Sequence, residues 1–254
     1  MSANPVAALG ELPDEFARVI FDGALPGETI GLTADIANRI AAFMRGAAAQ
    51  RTAGKPAIRL ESLDSTPGRR IMALAIVNDD MPFLVDSVSA AIGAAGLRIE
   101  RLLHPTAVVG RNRDGQLTSI GTGDSRESLI YIEVSRANAR ARAELVESLT
   151  RVLADVRAAV TDWPTMLSAM KAASKELRDN PPPLAPHEIG EAAAFLEWLA
   201  ADNFTLLGYH AYRFDGDLDD ARFAPASDQG LGLLRDAGFA LWRSEERRVG
   251  KECW

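Results

Sequence analysis

A chain of 254 residues, 47% hydrophobic and 25% charged, has the makings of an ordinary globular protein with one or two cored domains. Its net charge of -7 excludes a general nucleic-acid binder. No apolar run reaches membrane-spanning length, and a single cysteine excludes an internal disulfide framework. The expectation is a cytoplasmic protein without a signal peptide and with neither nucleic acid nor membrane as partner.

Residues 1–54 read as a helical lead segment. Leu12, Pro13, Asp14 and Glu15 open a short helix with Phe16, Val19, Ile20 and Phe21 on its apolar side, and Pro26 and Gly27 end the pattern. Thr33 caps a second helix striped by Ile36, Ile40, Phe43 and Met44. The run from Gly46 to Gly54 fades into a linker, and the segment reads as a docking element without chemistry of its own. Residues 55–62 alternate apolar and polar, which predicts a strand, and residues 65–68 make a turn.

Ile71 to Val77 are seven consecutive apolar residues, long enough for a strand buried on both faces. Asn78, Asp79 and Asp80 then turn the chain into a helix, with Asp80 as its cap and Pro82 in its first turn. Leu84, Val88, Ala91, Ile92 and Ala95 recur at helical spacing, and Gly96 terminates them. Such a turn aims backbone N–H groups and a helix N-terminus at one spot. Asp79, Asp80 and Asp86 would repel an anion there but could meet an ammonium group, and an amino acid carries both charges. Asn78, Asp79, Asp80, Phe83 and Asp86 are therefore the candidate amino-acid or interface site. The plainer alternative is that Asp80 only caps the helix and the other carboxylates are solvated.

From Leu97 to Val109 the chain is extended again, interrupted at Pro105. Residues 113–116 carry a hairpin signal, and residues 121–124 form a loop too short to cradle a phosphate. Glu127 to Val134 is a strand with Ile130, Ile132 and Val134 on one face and Leu129 and Tyr131 on the other. Asn138 caps a long helix striped by Leu145, Leu149, Leu153 and Val156, and its arginines read as a solvated face. Asp162, Trp163 and Pro164 are expected to break or kink it, with a further helix to about Leu177. Residues 180–186 are a proline-rich linker. Residues 188–201 form a helix with Phe195, Leu196 and Leu199 inward, and Trp163 and Trp198 are core or interface anchors. Residues 203–214 read as a strand that begins a second domain and lacks partners, because residues 243–254 resemble a foreign tail.

The result is an α+β layer: a small antiparallel sheet with two helices on one face and an open second face. The domains are a helical lead over 1–54, the α+β domain over 55–163, a helical linker over 164–200, the start of a second α+β domain over 201–243 and a tail over 244–254. His104, His187 and His210 each lack a second ligand at metal-binding spacing, Cys253 has no base beside it, and Gly230-Leu-Gly232 lacks the third glycine of a dinucleotide fingerprint. Catalytic, cofactor-binding and metal-binding residues are therefore expected to be absent from this chain.

Residues 78–88, His104-Pro105, residues 111–115, Glu127-Ser128 and residues 195–209 together resemble the amino-terminal region of the large NAD-specific glutamate dehydrogenases of bacteria. The resemblance covers roughly residues 10–243. It implies ACT-like modules ahead of a distant catalytic domain, in a parent that deaminates glutamate to 2-oxoglutarate with NAD. It implies a non-catalytic regulatory or assembly region whose partners are the catalytic part of the same polypeptide and further copies of the chain, with NAD held elsewhere. A free-standing amino-acid sensor or an interaction module is the alternative. ACT modules that bind amino acids usually carry glycine where this chain has Phe83, so the ring is expected to fill that space and to favour packing against a sister module.

Overall fold

A computed structural model of the chain describes residues 15–22, 24, 27–66, 69–215, 222–226 and 230–235. Contacts divide the chain into two compact units, Met1–Ala154 and Asp155–Trp254.

The first unit is organised around β2 (Arg69–Asp79), in which residues 71–78 are all buried, as the uninterrupted apolar run predicts. It pairs antiparallel with β1 (Ala57–Thr66) and with β6 (Ser125–Val134). The far side of β6 is taken by two short strands in succession, β3 (Ile99–Leu103) and β4 (Thr106–Arg111), and β5 (Leu117–Ile120) closes the sheet beyond β4. The order is β1-β2-β6-β4-β5, with β3 also on β6. His104 and Pro105 separate β3 from β4, and the Pro105 carbonyl accepts from Leu129 N–H at 2.9 Å, so the interruption costs the ladder little.

Registry places Met72, Leu74 and Ile76 beside Val134, Ile132 and Ile130 on one face. Ala73, Ala75 and Val77 lie with Leu129 and Tyr131 on the other. Both faces are buried. The second face forms one core with α1 (Glu15–Asp22) and α2 (Ala34–Ala48), through Phe16, Ile20, Phe21, Ile40, Phe43 and Met44. The lead helices therefore close the face expected to be open. The opposite face is buried as well, and the other buried stripes of this unit are Leu84, Val88 and Ile92 of α3 (Leu84–Ala94) and Leu145, Leu149 and Leu153 of α4 (Ala139–Asp179). Each such aliphatic side chain contributes about 1.5–3 kcal/mol by leaving water.

Three predicted helix ends are present. The Thr33 hydroxyl accepts from Ile36 N–H at 3.4 Å, and the Asn138 side chain accepts from Ala141 N–H at 2.9 Å. Gly96 stops α3 at φ +71°, and Gly96 and Leu97 donate back to the Gly93 and Ile92 carbonyls.

In the second unit α4 runs unbroken through Pro164, where a break or kink was expected. The ring removes one N–H, and the Ser168 hydroxyl donates to the Pro164 carbonyl at 2.8 Å. Asp162 accepts from Gly232 N–H at 2.7 Å and from both Nε and Nη2 of Arg235. The Arg235 bonds hold its carboxyl below the usual range, helped by Gly232 and opposed by burial.

Helix α5 (Pro186–Trp198) begins on a proline, and the Glu188 carboxylate accepts from Ala185 N–H at 2.9 Å. Phe195 does not point inward. It is 58% exposed and stacks on Trp198, itself 52% exposed, with centroids 6.1 Å apart, while Ala193 is the buried residue of the helix. Trp163 is also exposed, so neither tryptophan is a core anchor. The long strand expected over 203–214 appears as β7 (Gly208–Tyr209) and β8 (Tyr212–Asp215), and both have partners: β10 (Leu231–Gly232) for β7 and β9 (Arg222–Pro225) for β8. The expectations for residues 12–14 and 244–254 lie outside the described residues.

Candidate functional site: an ion cluster at the end of the sheet

The register of β2 against β6 sets Asp79 opposite Glu127. Two like charges directly across a ladder repel, so the pair requires cations nearby. Arg51, three residues past the end of α2, and Arg111, the last residue of β4, supply them. Glu127 is fully buried and accepts four charge-assisted bonds. Arg51 donates to its Oε1 from Nε at 2.9 Å and from Nη2 at 2.7 Å. Arg111 grips both oxygens, Nε on Oε1 and Nη2 on Oε2, each at 2.7 Å. The same Arg51 Nη2 reaches Asp79 Oδ1, and Nη1 donates to the Lys55 carbonyl at 3.1 Å. Burial pulls the Arg51 guanidinium down, but its bonds to Asp79 and Glu127 outweigh that and hold it above its ordinary value.

The β4–β5 hairpin fixes both arginines. Asn112 accepts from the N–H groups of Asp114 and Gln116 through its side chain at 3.0 and 2.9 Å, which folds the predicted turn. Gly115 stands at φ +79°, and its carbonyl accepts from Arg51 N–H at 2.9 Å and from Arg111 Nη1 at 2.8 Å. A Cβ on Gly115 would fall 2.2 Å from the Arg51 carbonyl oxygen. The turn can approach the Arg51 backbone this closely because the residue is glycine.

The residues singled out from the sequence have separate fates. Asn78 is buried at the end of β2. Asp79 belongs to the ion cluster. Asp80 is not the cap of α3. Its N–H donates to the Arg126 carbonyl at 3.1 Å, and its carboxylate accepts from Arg126 Nε at 2.9 Å, tying the turn to β6. The cap position is Phe83, which makes no side-chain bond to the helix and stands at φ 69°, in the left-handed region. The backbone thus keeps the conformation that glycine would favour, with a phenylalanine in it. Phe83 is 46% exposed. Asp86 is exposed in the first turn of α3, where it favours the positive end of the helix dipole.

Sequence reasoning passed over Arg51, which sits in a run of alanines and glycines that reads as linker. Arg111 enters the sequence reading only through the resemblance, and Glu127 only as the start of a strand and through the resemblance. The available signal was Glu127 itself, a carboxylate next to the apolar run 129–132 of β6. Beside the cluster, His104 is half-buried and shares a hydrogen bond with the Ser128 hydroxyl. Burial lowers its pKa, against the pull of Asp80 and Glu28.

Chemically, two guanidiniums and two carboxylates satisfy one another at this end of the sheet. A zwitterion arriving at Asp79 or Asp80 would meet a carboxylate whose charge Arg51 or Arg126 already offsets. A separate cleft of about 440 Å³ lies against α2, lined by Phe43, Arg59, Leu63, Tyr131 and Glu133 among others. Its charges are matched in the same way: Arg59 Nε lies 2.7 Å from Glu61, and Glu133 accepts from the Tyr131 hydroxyl at 3.2 Å and lies 3.3 Å from Arg101 Nε. Among the described residues, no group of three or more His, Cys, Asp or Glu could hold a metal ion, and no helix is long and apolar enough to cross a membrane.

A family model described as the ACT1 domain of glutamate dehydrogenase matches residues 16–149. The chain belongs to this family. The match runs from α1 into α4, so the whole six-stranded sheet and its ion cluster lie inside the ACT1 domain. The NAD-specific glutamate dehydrogenase of Halomonas elongata is 36% identical over 170 residues, 64% of this chain and 10% of that protein. The NAD-specific glutamate dehydrogenase of Pseudomonas aeruginosa is 31% identical over the same coverage. That of Mycobacterium tuberculosis is 29% identical over 196 residues, 73% of this chain and 12% of that protein. The chain spans about a tenth of the length of the curated relatives it matches.

Proposed function

We propose that this chain is a non-catalytic regulatory and assembly region of an NAD-dependent glutamate dehydrogenase, whose parent reaction is the oxidative deamination of glutamate to 2-oxoglutarate. The observation that carries the reading is the use of the polar groups at the candidate site. Arg51, Arg111, Asp79 and Glu127 bond one another, and Asp80 bonds Arg126, so these groups hold strands and a hairpin together. A group that acts on substrate must be able to exchange its partner during the reaction; a buried carboxylate accepting four guanidinium bonds is instead a structural joint. The names of the relatives and the ACT1 match support the parent reaction, and NAD is assigned to the parent polypeptide. The test is direct. Purified chain supplied with glutamate and NAD is expected to produce no NADH above the rate without protein, and glutamate-dependent turnover by the chain would overturn the proposal.

A further inference from the structure

The sheet of the first unit ends on β1. That strand pairs with β2 alone, and its outer edge meets no other strand among the described residues. It is ten residues long, well above what a protected edge strand usually offers. Ala57 and Leu63 pack on the core shared with α1 and α2, and the Arg59 guanidinium lies 5.0 Å from the Phe43 ring centre. Residues 57, 59, 61 and 63 therefore share that face, and Ile58, Leu60 and Ser62 share the other.

We propose that two copies of this chain join edge to edge through β1, antiparallel, about a two-fold axis at Leu60. The proposal rests on the assembly reading above and names the surface that performs it. The argument is the order of charges along the strand. Antiparallel neighbours must show matching faces, so the axis passes through a residue rather than between two. An axis at residue 59 sets Arg59 against its own copy, and an axis at residue 61 does the same to Glu61; both registers oppose like charges. With the axis at Leu60, Arg59 of each copy faces Glu61 of the other. The two Leu60 side chains meet, Ile58 faces Ser62, and Ala57 faces Leu63. Within Ala57–Leu63 this is the register that pairs opposite charges on both sides of the axis. Arg59 and Glu61 already lie 2.7 Å apart within one copy, with side chains 38% and 45% exposed, so the pair stands at the surface and can be shared with a partner. Charges on an edge strand commonly serve to block pairing. Here their order instead makes the strand complementary to itself.

The experiment is analytical ultracentrifugation of the full chain, with circular dichroism as the check on folding. The expected result is a reversible dimer. Arg59→Glu and Glu61→Arg, each of which places like charges opposite one another, are expected to weaken association by about tenfold. The double variant Arg59→Glu/Glu61→Arg restores the opposition and is expected to recover it. Backbone amides of residues 57–63 are expected to exchange more slowly as the protein concentration rises. A monomer at high concentration overturns the proposal. So does a dimer indifferent to both single swaps, or one that the double swap fails to restore; in those two cases the assembly reading stands and the surface is wrong. Glutamate-dependent NADH formation, measured separately, bears on the functional reading and leaves the β1 pairing untouched.

Discussion

Glu127 is the residue on which the end of the sheet depends. It is buried without access to water and carries a charge that is tolerated because two guanidiniums surround it. Glu127→Gln leaves Arg51 with Asp79 as its remaining carboxylate and Arg111 with only the Ala48 and Gly115 carbonyls. It is expected to lower unfolding stability by about 3–5 kcal/mol, read by urea denaturation. Asp80→Ala is the matched control. Its partner Arg126 has a side chain 64% exposed, so the loss is expected to stay within about 1 kcal/mol. Phe83 poses the opposite case, a residue whose side chain conflicts with its backbone. A non-glycine residue in the left-handed region costs about 1–2 kcal/mol, and this ring is half exposed. Phe83→Gly is expected to raise stability by up to about 1 kcal/mol, whereas Phe83→Ala keeps the strain and gains nothing. A large loss in Phe83→Gly would show that the ring is packed more firmly than its exposure indicates.

At the scale of elements, the hairpin between β4 and β5 locks the ion cluster. Gly115→Ala meets both a left-handed backbone and the Arg51 carbonyl, so the substitution must move either the turn or Arg51. A loss of about 2 kcal/mol or more is expected, with faster hydrogen exchange at Arg51 and Leu117, the amides that tie the end of α2 to the hairpin. The hairpin was legible from its aspartate and glycine, because turn chemistry is local. So were the strand at Ile71–Val77, the caps at Thr33 and Asn138 and the stop at Gly96, where periodicity and capping act within a few residues. Arg51 was not legible, since its partner Glu127 lies 76 residues away and the residues around Arg51 are small. Asp80 was misread for a related reason: it satisfies the local rule for a cap, but Arg126 on the neighbouring strand competes for its carboxylate and wins. At Pro164 the expected break is absent, because a proline weakens a helix locally while the 41-residue helix around it persists. Phe195 was placed inward by spacing alone, and among the described residues none buries it.

At the scale of the molecule, the lead helices change the character of the domain. Residues 1–54 read as a segment that docks onto something else, and the surface that α1 and α2 occupy is the second face of the sheet itself. The ACT1 domain thereby has both sheet faces buried, one of them by its own lead helices. The chain belongs to the glutamate dehydrogenase ACT1 family, and the curated relatives are about ten times the length it matches in them. The claim that joins these scales is that the acidic turn between β2 and α3 is a joint closed by its own arginines. Isothermal titration calorimetry of the purified chain with glutamate and the other common amino acids tests that claim most directly. The expected result is no saturable heat, because Asp79 and Asp80 are already engaged; saturable binding that disappears in Asp79→Ala or Asp86→Ala would contradict it.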